Sequence, residues 1–273
     1  MTDSAPHETA IPGTVHPFDD AIRLAALGDG RFAGRTAEAY RNMVGPYGGI
    51  TAAAMLQALL RRPERLGDPV AFTVNYAGPV RDGGFEIATR EIRTSRSTQH
   101  WFAEMVQGPD REVSTTATAV FGTRRDTWHH TEARQPEVPP RESVRPLRSA
   151  SGAPWSERYE RRTFDDLEAG ESRGWLAELP PRPLDFPALA SLCDAFRPWL
   201  FARRAQRTPI GTVTLNVYFH AAGDELAALG ATPLQGVART NTIHRGFFDQ
   251  EAQLWTPDGR LLATTQQVVW FKE

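Results

Sequence analysis

The last strand-like stretch of the chain contains two adjacent glutamines. In residues 261–270, LLATTQQVVW, successive side chains point to opposite sides of any strand. Gln266 and Gln267 therefore face different ways, and one of them faces the interior. A buried amide without partners costs about 1–3 kcal/mol. The inward glutamine is thus either hydrogen-bonded for structure or held in place for chemistry.

The hydrophobic pattern divides the chain into two similar halves. In the first half, a proline-free helical run at residues 49–60 precedes strand-like runs at residues 71–80, 84–94, 99–107 and 112–121. In the second half, a helical run at residues 187–200, with Asp185 as its cap and Pro187 in its first turn, has the same place. It precedes strand-like runs at residues 212–219, 234–242, 246–255 and 261–270.

Local identities support the repeat. The segment STTATAVF, which begins at Ser114, matches ATTQQVVW, which begins at Ala263. On this match Gln267 corresponds to Thr118, and the strand starts make Thr212 correspond to Ala71. One long helix across an antiparallel sheet is an α+β unit, and two such units can share one sheet.

The unit boundaries follow from composition. We predict a first unit at residues 1–123, a linker at residues 124–154 and a second unit at residues 155–273. The linker is rich in Arg, Pro, Glu and Ser and has neither the helical nor the strand period.

Composition excludes several classes of protein. The formal net charge of −2 and the pI of about 6.4 favour neither nucleic acid nor an anionic membrane as a partner. Cys193 is the only cysteine, so an intrachain disulfide and a cysteine-based metal site are excluded. The first residues do not resemble a secretory signal, and the longest apolar run, ITAAAMLQALL, is too short to span a bilayer. We therefore expect a cytoplasmic protein.

Several spaced segments together resemble one known family. They are GPYGGITAAAMLQAL, ALASLCDAF, IGTVTLNVYFH and HRGFFDQEAQLWTPDGRLLATTQQ. These segments are similar to the acyl-CoA thioesterase II family of double-hotdog proteins. The resemblance implies a double hotdog, in which two tandem units each wrap an antiparallel sheet around one long helix.

The resemblance also implies an activity and the residues for it. The family hydrolyses acyl-CoA thioesters without a metal, cofactor or covalent intermediate, using an aspartate, a threonine and a glutamine to hold and activate water. These fall on Asp194, Thr212 and Gln267. The expected partners are an acyl-CoA substrate and a second copy of the chain in a homodimer.

Each of these three residues has a chemical and a structural interpretation. Asp194 has apolar neighbours, so desolvation would raise its pKa toward that of a useful base, unless it faces solvent. Alternation places Thr212, Thr214 and Asn216 on one face, so Thr214 is the alternative to Thr212, and strands favour threonine in any case. Gln267 would fix a water without competing for its proton.

The first half has a candidate substrate-binding set just before its helix. Gly48 and Gly49 would leave backbone N–H groups pointing out of the helix start, where negative charge is favoured. The alternative is a tight turn or a close backbone approach. Tyr47 would line an acyl channel or belong to the core.

Two other functions compete with thioester hydrolysis. A hotdog hydratase or dehydratase would need a histidine beside the aspartate, and the second helical run carries none. A non-catalytic acyl-CoA sensor would keep the fold and the groove, and only turnover distinguishes it from the enzyme. No serine elbow or zinc-binding histidine spacing is present.

Overall fold

The computed structural model describes residues 15–147, 152–204 and 206–273. The N-terminal segment 1–14 and linker residues 148–151 lie outside the described residues. The helices in the described ranges are α1 (Pro17–Ala21), α2 (Gly48–Leu60), α3 (Phe186–Leu192), α4 (Leu200–Arg203) and α5 (Gly223–Leu229). The strands of the first half are β1 (Ala25–Gly28), β2 (Arg31–Arg35), β3 (Asp68–Tyr76), β4 (Gly84–Thr94), β5 (Thr98–Gln107) and β6 (Glu112–Gly122). Those of the second half are β7 (Tyr159–Asp166), β8 (Glu171–Glu178), β9 (Ile210–Phe219), β10 (Leu234–Arg239), β11 (Ile243–His244), β12 (Phe247–Trp255) and β13 (Leu261–Phe271).

Across the described ranges, these thirteen strands form one antiparallel sheet. The strand order is β1-β2-β4-β5-β6-β3-β9-β13-β12-β10-β8-β7, with β11 added beside β12. The two halves therefore meet where β3 pairs with β9, and each half is arranged outward from that seam in the same way. The predicted α+β class, with two units sharing one sheet, is confirmed.

The helices differ between the halves more than the sequence suggests. Helix α2 runs as predicted, but α3 ends at Leu192 although the pattern predicted a helix to residue 200. The backbone changes there to 3₁₀-type bonds, since the N–H groups of Asp194 and Ala195 donate to the carbonyls of Ser191 and Leu192, three residues back, at 3.1 and 3.0 Å. Pro198 then prevents a helix from continuing through Arg197. Asp185 caps α3 as predicted, since its Oδ1 accepts from the Ala188 N–H at 2.9 Å.

Both halves carry a β-bulge at the same place, which fixes how they correspond. The extra residue is Val70 in β3 and Val213 in β9, because their neighbours pair with consecutive residues of the next strand. The residue before the bulge is Pro69 in the first half and Thr212 in the second. Thr212 thus corresponds to Pro69, and the predicted match to Ala71 is wrong.

The same bulges correct the match for Gln267. Two residues beyond each bulge, Phe72 lies opposite Ala119 and Leu215 lies opposite Gln267. Gln267 therefore corresponds to Ala119, and the match to Thr118 is wrong by one residue. Local identity alone could not locate the extra residue that each bulge adds.

The core lies between the inner face of the sheet and the central pair α2 and α3, which pack on each other. The linker packs against the second half, as the Gln135 Nε2 donates to the Gln235 Oε1 at 2.8 Å and the Trp175 Nε1 donates to the Pro139 carbonyl at 2.9 Å. None of the helices in the described ranges is long and apolar enough to cross a bilayer.

Candidate active site

Thr212 and Gln267 lie in contact on the inner face of the sheet. Gln267 is 6% exposed whereas Gln266 is exposed, so Gln267 is the inward glutamine. The Thr212 hydroxyl donates to the Gln267 Oε1 at 3.2 Å. The Gln267 amide nitrogen makes no hydrogen bond to any described residue, so it remains available to a water or a ligand.

The β-bulge at Val213 is what turns Thr212 inward. Without it, Thr212 and Thr214 would share a face, as strict alternation predicted. The extra residue places Thr212 on the face of Gln267, while Thr214 stays with Asn216 on the opposite face. The Thr214 hydroxyl there donates to a β3 carbonyl at 3.2 Å. The predicted shared face is therefore wrong, and Thr212 is the inward threonine.

Asp194 lies in the tight turn that follows α3, not within a helix as predicted. Its N–H donates to the Ser191 carbonyl at 3.1 Å, which closes the last turn of the segment. The carboxylate lies against the start of α2. An added Cβ at Gly48 would be only 2.8 Å from the Asp194 Oδ2, and the Gly49 N–H faces the same carboxylate.

This environment gives Asp194 the acidity of a useful base. Burial raises its pKa to about 7, although the N–H of Gly49 partly offsets the shift by stabilising the ionised form. The residue as a whole is half-buried, while its carboxylate is desolvated by the surrounding protein. A group that is half ionised near neutral pH accepts and returns protons readily.

The glycines at the start of α2 serve close packing as well. A Cβ on Gly49 would lie 2.5 Å from the Tyr47 ring and 2.7 Å from the Ser191 carbonyl, so α2 and α3 approach too closely for a side chain. The close-approach interpretation therefore applies, alongside the N–H that faces Asp194.

Tyr47 occupies the core position that the sequence left as its alternative. The ring is 3% exposed and stacks on Trp155 with centroids 4.2 Å apart. Its hydroxyl donates to the Ser191 carbonyl at 2.8 Å. Tyr47 thus offers almost no surface to a ligand, and it supports the turn that carries Asp194.

Tyr76 belongs to this site although the sequence analysis did not select it. It ends β3, beside the bulged start of β9, and its hydroxyl donates to the Gly48 carbonyl at 2.8 Å. A tyrosine in a strand is ordinary. Only the repeat distinguishes it, because the bulges align Tyr76 with Phe219, which lacks the hydroxyl.

The segment that follows Asp194 connects it to the sheet that carries Thr212 and Gln267. Within the described residues, no direct hydrogen bond links Asp194 to Thr212 or Gln267. The Trp199 N–H, however, donates to the Gln250 Oε1 at 2.9 Å, and Gln250 lies directly opposite Gln267 in the sheet. The segment that follows Asp194 is therefore hydrogen-bonded to the strand that pairs with β13 at Gln267.

Comparison with known proteins assigns the chain to a family. A model of the acyl-CoA thioesterase N-terminal domain matches residues 37–122, and one of the C-terminal domain matches residues 129–271. A hot dog fold protein of unknown function from Alicyclobacillus acidocaldarius is 46% identical, with a TM-score of 0.90 over 95% of this chain and 99% of that one. No curated protein matches the chain.

Two more distant structures share the fold. A putative thioesterase II from Thermobifida fusca YX is 21% identical, with a TM-score of 0.81 over 96% of this chain and 99% of that one. An acyl-CoA thioesterase II, TesB2, from Mycobacterium marinum is 16% identical, with a TM-score of 0.75 over 93% and 98% of the two chains. With two hotdog units in one sheet and both family models matched in order, the chain belongs to the acyl-CoA thioesterase II family.

Proposed function

We propose that the protein hydrolyses acyl-CoA thioesters to the free acid and CoA, with Asp194 as general base and Thr212 and Gln267 as water-holding groups. One observation carries the assignment of residues. The desolvated carboxylate of Asp194, whose pKa burial raises to about 7, lies at the start of α2. The segment after it is bonded through Trp199 to Gln250, which lies opposite Gln267 and its contact with Thr212.

The reaction follows from these groups. A water held by Thr212 and Gln267 attacks the thioester carbonyl carbon while Asp194 takes one of its protons. The carbonyl oxygen becomes an oxyanion in the tetrahedral intermediate. Collapse of the intermediate re-forms the carbonyl and breaks the carbon–sulfur bond, and Asp194 returns its proton to the departing thiolate. The products are a carboxylic acid and CoA, and the aspartate is regenerated as a carboxylate.

The start of α2 supports this chemistry electrostatically. Gly48 and Gly49 place the positive end of a helix dipole at the site, where it stabilises negative charge on Asp194 or on the developing oxyanion. This is the substrate-binding role we assign to the two glycines. Tyr47 acts behind them as support.

The homodimer and the cytoplasmic location remain predictions from sequence and family. The outer face of the sheet exposes Val213, Tyr218 and Trp270, an apolar surface that suits a second copy. Light scattering on the purified protein measures the assembly directly.

The proposed function is tested by free-thiol release from short, medium and long acyl-CoAs. Asp194→Asn keeps the shape of the side chain and removes the base, so kcat should fall by roughly 10²–10⁴. Asp224→Asn, at an exposed carboxylate in the first turn of α5, is the matched control and should behave as wild type. Wild-type turnover that survives in Asp194→Asn would remove Asp194 from the mechanism. Binding of acyl-CoA without any wild-type turnover would instead favour the sensing module.

A further inference from the structure

One planar peptide group connects Tyr76 to Asp194. The carbonyl of Gly48 and the N–H of Gly49 belong to the same peptide bond, so their orientations are locked together. The Tyr76 hydroxyl donates to that carbonyl at 2.8 Å, and the N–H on the other side of the plane faces the Asp194 carboxylate. A hydrogen bond that fixes the Gly48 carbonyl oxygen therefore also fixes the direction of the Gly49 N–H.

The contact also changes the strength of the donor. A hydrogen bond to an amide oxygen polarises the peptide and makes its N–H a better donor. A stronger N–H stabilises the ionised form of the carboxylate that it faces. The Tyr76 hydroxyl thus favours ionised Asp194 although the two side chains need not touch.

The other half of the molecule lacks every part of this connection. Phe219 replaces Tyr76 and packs edge-on against Phe186, with ring centroids 5.3 Å apart. Counting from the N-caps, Phe186 and Pro187 occupy the places of Gly48 and Gly49, and Pro187 has no N–H to offer. Leu56 stands where Asp194 does. The hydroxyl, the N–H and the carboxylate are present together or absent together.

Among the described residues, no charged side chain is paired with Asp194. The titratable groups whose pKa its charge raises are Tyr47 at the N-cap of α2, Tyr76 from β3, Tyr159 from β7 and the adjacent Cys193. Burial raises the pKa of each well above the neutral range, so all four are uncharged there. No ion pair joins Asp194 to any described residue, which leaves the Gly49 N–H as the contact to be tuned.

We propose that Tyr76 is a positioning residue for the hydrolysis proposed above, acting through the Gly48–Gly49 peptide to orient and strengthen the N–H that faces Asp194. The inference depends on the proposed function for its effect on rate. Its effect on the ionisation of Asp194 is independent of turnover.

Tyr76→Phe tests this role because phenylalanine already occupies the corresponding position of β9. Loss of the hydroxyl should lower kcat/KM roughly 3- to 10-fold, the scale of one net hydrogen bond. The acid limb of the pH profile should move upward by about half a pH unit or more, because the carboxylate becomes harder to ionise. Tyr40→Phe, at a buried tyrosine whose hydroxyl has no hydrogen-bond partner among the described residues, is the matched control and should change neither quantity.

A second substitution and a second readout make the test decisive. Replacement of Tyr76 by 3-fluorotyrosine keeps the ring and supplies a more acidic phenol, so the acid limb should move downward instead. The carboxyl carbon of Asp194 can also be titrated by NMR in the wild type and in Tyr76→Phe, without any substrate. An upward shift of that titration supports the proposal even if no acyl-CoA is turned over, a result that would defeat the proposed function alone. A folded Tyr76→Phe protein with unchanged Asp194 titration overturns the positioning role, whatever its activity.

Discussion

The two halves share a scaffold and differ at the positions where chemistry is proposed. The bulge before β9 presents Thr212, and the bulge in β3 presents Pro69. At the position of Gln267 the first half has Ala119. Counting from the helix caps, Asp194 corresponds to Leu56, which is fully buried. The bulge therefore belongs to the fold that both halves share, whereas the polar side chains near it occur only in the second half.

The proposed site and the corresponding location in the other half are each built from residues of both halves. The proposed site combines Asp194, Thr212 and Gln267 of the second half with Gly49 and Tyr76 of the first. The corresponding location combines Leu56, Pro69 and Ala119 of the first half with aromatic residues of the second, and Phe186 and Phe219 pack there. One location contains polar side chains, while the other contains apolar side chains in the core.

The largest effect in the sheet is expected from making β13 resemble β6. Gln267→Ala gives β13 the alanine found at Ala119 and removes the amide that we propose holds the water, so kcat should fall roughly 10- to 100-fold. Gln266→Ala, at the exposed neighbour, is the control and should keep wild-type turnover. Steady-state kinetics and thermal melts of both variants measure the changes in kcat and in melting temperature. A lower melting temperature with unchanged kcat would mean that the buried amide is structural.

A smaller effect should separate the two threonines of β9. Thr212→Val removes the hydroxyl that contacts Gln267 and should lower kcat about 10-fold. Thr214→Val removes a hydroxyl on the opposite face, which bonds a β3 carbonyl, and should affect stability only. The two variants have the same change of shape, so their kinetics compare the faces directly. Equal losses of kcat would contradict the inward turn that the bulge gives Thr212.

Much of the architecture could be predicted from the sequence because it depends on local period. Alternation located the long strands, and helix-forming composition located α2. Pattern matching failed where one residue breaks the period. The extra residue at Val213 changes the face of Thr212, and composition does not show it. Helix α3 ends in a 3₁₀-type turn after Leu192, although the apolar residues that predicted a helix continue to Leu200.

The sequence selected candidate site residues only where a residue type was unusual for its surroundings, and their roles stay predictions. An aspartate among apolar residues and a glutamine in a buried strand each contrast with their neighbours. Tyr76 does not contrast with its strand, since its role comes from the meeting of β3, β9 and α2. Contacts between distant segments decide such a role, and the repeat shows it only after the bulges have aligned the halves.

The smallest effect concerns stability and pH. The folded-state pKa of Asp194, about 7, lies above its unfolded value of about 4. The folded protein thus binds this proton more tightly and loses stability as pH rises through that window. Asp194→Asn should gain melting temperature relative to wild type by several degrees between about pH 4 and pH 7, and gain no more above it. Asp224→Asn should show no such trend in calorimetry, and a flat difference for Asp194→Asn would place its carboxylate in bulk solvent.

The seam between β3 and β9 has a consequence for how such a molecule changes over generations. In a pair of identical separate subunits, every substitution enters both sites at once, so neither could be closed while the other stayed open. A single chain holding both units carries two independent copies of each position. One location can therefore become packed core while the other carries polar side chains, and the matching bulges still show which positions correspond.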